Sequence, residues 1–226
     1  MDTCFVNCSR ILRSVLSVLI VVAAGSVCAA EPCKPFEDGR VDARLLQVMR
    51  DAATQGRLYR VSPGESKVGF CARYFPFQEF RGEFTNIVGG LAIPPGRDQH
   101  GQALLLIHTA SMQSNNTELI PLVKGHEFMD TEHYPDILFV GRAFQWLNPQ
   151  QGYIYGDLTL RGKTRPVVFN IGIDVLEGGE GERPKRIYLK GKSEVNRVNF
   201  DMRSYRFVVS ETVRLCLSVE LVPWAP

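Results

Sequence analysis

Nucleophilic or metal-assisted chemistry needs thiols, imidazoles or carboxylates at set spacings, and this 226-residue chain offers six cysteines and four histidines for it. His100, His108, His126 and His133 make no helical His-Glu-x-x-His pair. Glu127, Asp130 and Glu132 lie between the last two histidines, a pattern that reads as a solvated surface rather than a metal centre. There is no Gly-x-Ser-x-Gly elbow and no phosphate loop. Asp157 has no matched acid or base beside it in sequence, so it makes no catalytic argument. No catalytic residue, metal ligand or cofactor is assigned. Arg73, Arg81, Arg161 and Arg197 are the groups suited to a phosphate or carboxylate, because guanidinium binds both in a fork. Arg197 falls on the inward parity of its segment; its alternative is an ion pair with Asp201 or Glu211. Cys71 and Cys216 share the outward parity of theirs. If those two strands close a barrel, the thiols are cross-strand neighbours ~4.5–5.5 Å apart, within the ~4.4–6.8 Å Cα separation of a disulfide. Cys33 would then be left over.

The elements that must position these groups follow from periodicity. From Tyr59 onward apolar residues recur every second position, which puts one set of side chains on a buried face. Val68, Phe70, Ala72 and Tyr74 form one such set; Val213, Leu215, Leu217, Val219 and Leu221 form the last. Runs around 103–109, 137–143, 153–161, 167–175 and 189–196 repeat the pattern, with turns such as Ser62-Pro63-Gly64 and Pro94-Pro95-Gly96 between them. Many antiparallel strands joined by short turns imply an all-β sandwich or closed barrel. Between Asn115 and Tyr134 the alternation breaks, and Leu119, Ile120, Leu122 and Val123 predict a short helix interrupted near Pro121, placed to cover an end or seam. Gly141, Gly156, Gly191 and Ser193 fall among the inward positions, where a strand loses packing. They imply either barrel bends or vacant interior volume, and the second is preferred. An apolar lining around such a volume suits an apolar ligand.

The flanks differ. Arg10 and Arg13 precede an apolar run from Val15 to Ala24 and small residues to Ala30, which predicts a secretory signal over residues 1–30. Residues 31–57 read as a Pro-rich leader and a helix over Val41–Gln55 with Leu45, Leu46, Met49, Ala52 and Ala53 on one face. Asp38 or Asp42 would cap its start and Gly56 its end. The formal charge of +2 gives no electrostatic case for nucleic acid.

Five segments in order then resemble a known family. Tyr59–Pro63 with Ser66–Phe70 looks like its opening strand, and Phe80–Phe84 like the next. His126–Asp130 with Tyr134–Phe139 resembles its helix-to-strand passage, Gly156–Val167 is its most specific segment, and Val195–Phe200 resembles its Asn-Arg element. The chain is thereby identified as similar to the YceI-like periplasmic proteins. Asp201 departs from the Gly usual there. The resemblance implies a lipocalin-like antiparallel barrel of about eight strands over 58–226. It further implies a carrier or sequestering protein for a polyisoprenoid, quinone or fatty-acid-like chain, exported to the periplasm, stress-associated and often dimeric. Transient membrane contact is expected for lipid exchange. By matched parity the resemblance places Phe70, Ala72, Leu105, Ile107, Phe139, Leu158, Phe169, Leu189, Arg197 and Leu217 against the ligand. A narrow dry tunnel is expected along the barrel axis. The alternatives are a quinone-linked redox or accessory enzyme, and an interaction module with a filled core.

Overall fold

The computed structural model describes residues 43–55, 57–92, 101–177 and 184–224. The expected signal segment, Cys33, His100 and the caps at Asp38, Asp42 and Gly56 lie outside them.

Among the described residues, eleven strand segments form one sheet: β1 (Leu58–Val61), β2 (Lys67–Tyr74), β3 (Gln78–Phe84), β4 (Ile87–Ala92), β5 (Gln102–His108), β6 (Met112–Ser114), β7 (Asp136–Asn148), β8 (Gln151–Leu160), β9 (Lys163–Glu177), β10 (Arg186–Asn196) and β11 (Val209–Pro223). Every pairing is antiparallel, and β1 meets β11 to close the ring. Three of the eight wall positions are interrupted strands, β1/β2, β3/β4 and β5/β6, so the fold is a closed eight-stranded barrel.

The interruptions are held by individual hydrogen bonds where the ladder lapses. Between β1 and β2, the Ser62 amide donates to the Glu220 carbonyl at 2.8 Å. Ser66 Oγ donates to the Ser62 carbonyl and accepts from the Glu220 amide, both at 3.1 Å, so the break stays attached to β11. Between β3 and β4, the Asn86 carbonyl accepts from the His108 amide at 3.0 Å, which ties that break to the start of the β5–β6 break.

The helix α1 (Ala43–Thr54) lies on the outside of the barrel. Its Leu45, Leu46 and Met49 pack on Leu104, Leu106 and Leu138, which face outward from β5 and β7. Strand β5 is therefore apolar on both faces, a continuous run Ala103–Ile107, because both faces are covered. The insert holds a 3-10 turn (Thr117–Leu119) and the helix α2 (Ile120–Lys124). Asn116 caps the 3-10 turn by accepting from the Glu118 amide at 3.2 Å. Pro121 does not interrupt α2; it sits in the first turn, where the missing amide donor costs nothing.

Candidate functional site: an apolar cavity in one half of the barrel

The inward faces of β2, β3, β5, β7, β8, β9, β10 and β11 do not meet across the whole axis. Toward one end they surround a cavity of about 350 Å³. Phe139 and Phe169 form its floor, edge to face at 76° with ring centroids 5.1 Å apart. Beyond them the axis is filled by Phe144, Ile154, Ile171 and Ile187, all buried. The expected tunnel is thus a blind chamber, because the far half is packed to contact.

The inward glycines explain the floor rather than the void. A Cβ on Gly156 would meet Phe139 Cζ at 2.7 Å and the Val140 carbonyl oxygen at 2.4 Å. A Cβ on Gly141 would stand 2.9 Å from both Ala103 Cβ and Ile154 Cγ2. One on Gly191 would press on Leu217 at 3.2 Å and Phe169 at 3.4 Å. These glycines give the two rings room to lie across the barrel. The sequence-based preference for vacant volume at these positions is corrected. Ser193 donates to the Val168 carbonyl at 2.7 Å.

Of the residues expected against a ligand, Phe70, Ala72, Leu105, Ile107, Phe139, Leu158, Phe169, Arg197 and Leu217 line the chamber. Leu189 has the inward parity but lies outside the lining, buried in the packed core. The sequence placed the insert over an end or seam but did not assign its residues to the ligand site. Leu119, Leu122 and Val123 from the insert, with Phe128 and Met129 after it, close the side where β6 has no β7 partner. Their signal was the lapse of alternation itself. Met202, Tyr205 and Val208 complete the rim from the segment between Asp201 and β11. The ring of Tyr205 stacks on that of Phe128 at 5.8 Å and 4°, and Ser204 Oγ donates to Glu127, so the rim segment is fastened to the insert.

Arg197 is the charged member among the described lining residues and is 2% exposed. Its Nε and Nη2 donate to the Ser210 and Val209 carbonyls at 3.0 Å each, and Nη1 donates to the Met202 carbonyl. The Phe128 ring lies 5.7 Å from the guanidinium carbon. Burial pulls its pKa below the ordinary arginine value, against the opposing charge of Glu211. The expected pairing with Asp201 or Glu211 is not made. Asp201 is held below the usual carboxylate range by a hydrogen bond from Lys163, and Glu211 by one from Arg206. Arg197 instead ties the turn after β10 to the start of β11 through backbone carbonyls. Asp201 takes the left-handed conformation (φ 60°, ψ 20°) that glycine would supply, a region aspartate tolerates better than most residues.

The other candidate groups lie elsewhere. Arg81 pairs with Glu79 at 2.7 Å on the outer face, and Arg161 Nη1 donates to the Asp201 carbonyl at 2.8 Å. His108 meets Asp136, His126 meets Glu127 and His133 meets Asp130. The expected Cys71–Cys216 disulfide is corrected: both are free thiols. The register sets Cys71 opposite Arg214 and Cys216 opposite Gly69. The cysteines are diagonal neighbours, for which Cα atoms stand ~7–8 Å apart, beyond the ~7 Å limit for a disulfide without backbone movement. Burial pushes the Cys71 thiol up, with the Glu79 and Cys216 charges adding to it, so it is disfavoured as a thiolate nucleophile.

An eight-stranded barrel with a one-ended apolar chamber agrees with the outcome of comparison. The sequence profile of the YceI-like domain matches residues 59–221, almost the entire barrel. The chain belongs to the YceI-like family. Among its relatives is a UPF0312 protein of Pseudomonas putida (strain W619), 27% identical over 158 residues that span 69% of this chain and 76% of the relative. The crystal structure of Burkholderia cenocepacia BcnA superposes with a TM-score of 0.62 at 20% identity, covering 71% of this chain and 98% of the other. A polyisoprenoid-binding domain from Saccharophagus degradans, implicated in plant cell wall breakdown, superposes with a TM-score of 0.57 at 12% identity, covering 74% and 98%. These two solved structures share the fold.

Proposed function

We propose that this YceI-like protein binds one apolar chain in its chamber and carries or sequesters it without chemical change. The chamber carries the proposal: among the described residues its lining is hydrocarbon and aromatic, the polar groups being Arg197 and the hydroxyls of Tyr74 and Tyr205. Each buried methylene contributes ~0.8 kcal/mol, so a chain of ten carbons gains about 8 kcal/mol before ordering costs. At about 350 Å³ the chamber is near the lower end of ligand pockets, ~300–1,000 Å³. It therefore encloses the end of a long polyisoprenoid or quinone tail, or one fatty-acyl chain, and leaves the rest at the mouth. The polyisoprenoid-binding neighbour supports this chemistry through its fold. The N–H groups of Arg197 that the three carbonyls do not use give the wall a site for a phosphate or carboxylate. Export to the periplasm, from the Arg-flanked apolar start of the chain, places the carrier between membranes, where an apolar chain needs shelter from water.

Native mass spectrometry of protein offered polyprenyl phosphate, a quinone or a fatty acid from detergent tests the reading. A single stoichiometric adduct is expected. It should disappear in the doubly filled variant Ala72→Phe, Val213→Phe, which occupies the chamber with rings. No adduct with any of the three, or equal adducts on both proteins, would overturn it.

A further inference from the structure

Around the mouth, two turns stand out by composition. The turn between β2 and β3 exposes Phe75 (73%) and Phe77 (101%), and the rim segment exposes Phe207 (102%). The two turns are adjacent, because the Phe75 amide donates to the Val208 carbonyl at 2.8 Å. Full exposure of a phenylalanine forgoes the gain of burying its ring, and three such rings around one opening form a concentrated apolar surface. These rings do not line the chamber, but Tyr74, Tyr205 and Val208 beside them do. Apolar surface is therefore continuous from the loop tips into the cavity.

Cations accompany the rings on these two turns. Residues 73–78 and 202–209 carry Arg73, Arg203 and Arg206, with Glu79, Asp201 and Glu211 at their borders. Arg73 is exposed on β2, while Arg203 and Arg206 reach back to Asp201 and Glu211. Aromatic tips rimmed by arginines fit a lipid surface with anionic headgroups, where rings enter the acyl boundary and cations meet phosphate. Rings on separate projecting turns suit a fluid surface that closes around them, whereas a protein partner requires a shaped counter-surface.

We propose that Phe75, Phe77 and Phe207 form a membrane-docking tip that seats the mouth of the barrel on an anionic bilayer, so that an apolar chain passes between lipid and chamber without crossing water. This rests on the carrier reading above and adds the face through which loading occurs.

The test is co-sedimentation of the full chain with vesicles of phosphatidylethanolamine and phosphatidylglycerol, against vesicles of phosphatidylcholine alone. Binding is expected to the anionic vesicles, weakened by salt. It should fall roughly tenfold for each phenylalanine replaced in the series F75S, F77S, F207S. Thermal midpoints should be unchanged, since the rings are exposed. The triple variant should still take up lipid from detergent, while its uptake from vesicles falls with its docking. Undiminished vesicle binding by the triple variant, no binding by the unaltered protein, or a dimer that the triple variant dissociates would each overturn the proposal. Two outcomes separate the readings: docking by the chamber-filled double variant with no lipid held leaves the tip standing, and lipid taken from detergent by the unaltered protein with no docking removes the tip alone.

Discussion

The two ends of the barrel share strands but not packing. Along β11 the inward positions Val213 and Leu215 are half-buried and face the chamber, whereas Val219 and Leu221 are buried in a filled core. The same division runs along β7, where Phe139 floors the chamber and Phe144 belongs to the packed half. The packed half closes the ring by direct strand pairing, β1 to β4 and to β11. At the chamber end, β6 and β7 are separated by the insert, and helix and turn replace a ladder. One half therefore supplies stability and the other supplies volume. A void lined by apolar atoms lacks contacts that a filled core has, so the two functions compete for the same space.

The contrast can be broken most directly by matched truncations. Ile171→Ala in the packed half should cost about 3–4 kcal/mol, since Ile171 is 1% exposed and the cavity cannot collapse. Leu215→Ala at the chamber wall should cost about 1 kcal/mol, since its site is already under-packed. Urea unfolding midpoints measure both, and equal costs would show that the halves do not differ in packing. Arg197→Met should come next, at about 2–3 kcal/mol, because the carbonyls of Met202, Val209 and Ser210 lose their donor together. Hydrogen exchange should quicken in the rim segment 202–210 while β9 and β10 near Ile171 stay protected. Arg197→Lys should not restore the protection, since one ammonium does not span three acceptors in a fork.

The smallest effect concerns the insert. A hydrogen bond to Asp130 raises the His133 pKa above 6.5, with the charges of Asp130 and Glu132 adding to it. Because the folded value is raised, its contribution to holding the insert is complete below about 6.5 and is lost as pH rises through the raised value. NMR titration should place the His133 midpoint above 6.5 and return it toward 6.5 in Asp130→Asn. The opposite sign applies to Glu79, Asp201 and Glu211. Their cationic partners lower their pKa values, so their contributions are present above about 4 and are lost as pH falls through the lowered values.

Parity alone carried most of the wall. Alternation along a strand is a property of the local backbone, so the inward placement of Phe70, Ala72, Leu105 and Leu217 was legible residue by residue. The helix face of α1 was legible for the same reason, from helical spacing. Height along the axis was not legible: Leu189 has the same parity as its neighbours and yet packs below the floor. The inward glycines were visible but pointed the wrong way, since a missing side chain in sequence does not say whether a ring from another strand fills the space. Nor did outward parity fix the cysteines, whose diagonal offset depends on register between β2 and β11.

The sequence by itself determined the barrel, which residues turn inward and the family to which the chain belongs, because these depend on period-two patterning and local motifs. Only the tertiary structure decided that the interior is half filled and half open, that Arg197 gives three of its donors to backbone carbonyls, and that Phe75 and Phe207 stand at adjacent tips. Each of these depends on distances between strands remote in the chain, which closure and register of the sheet alone set.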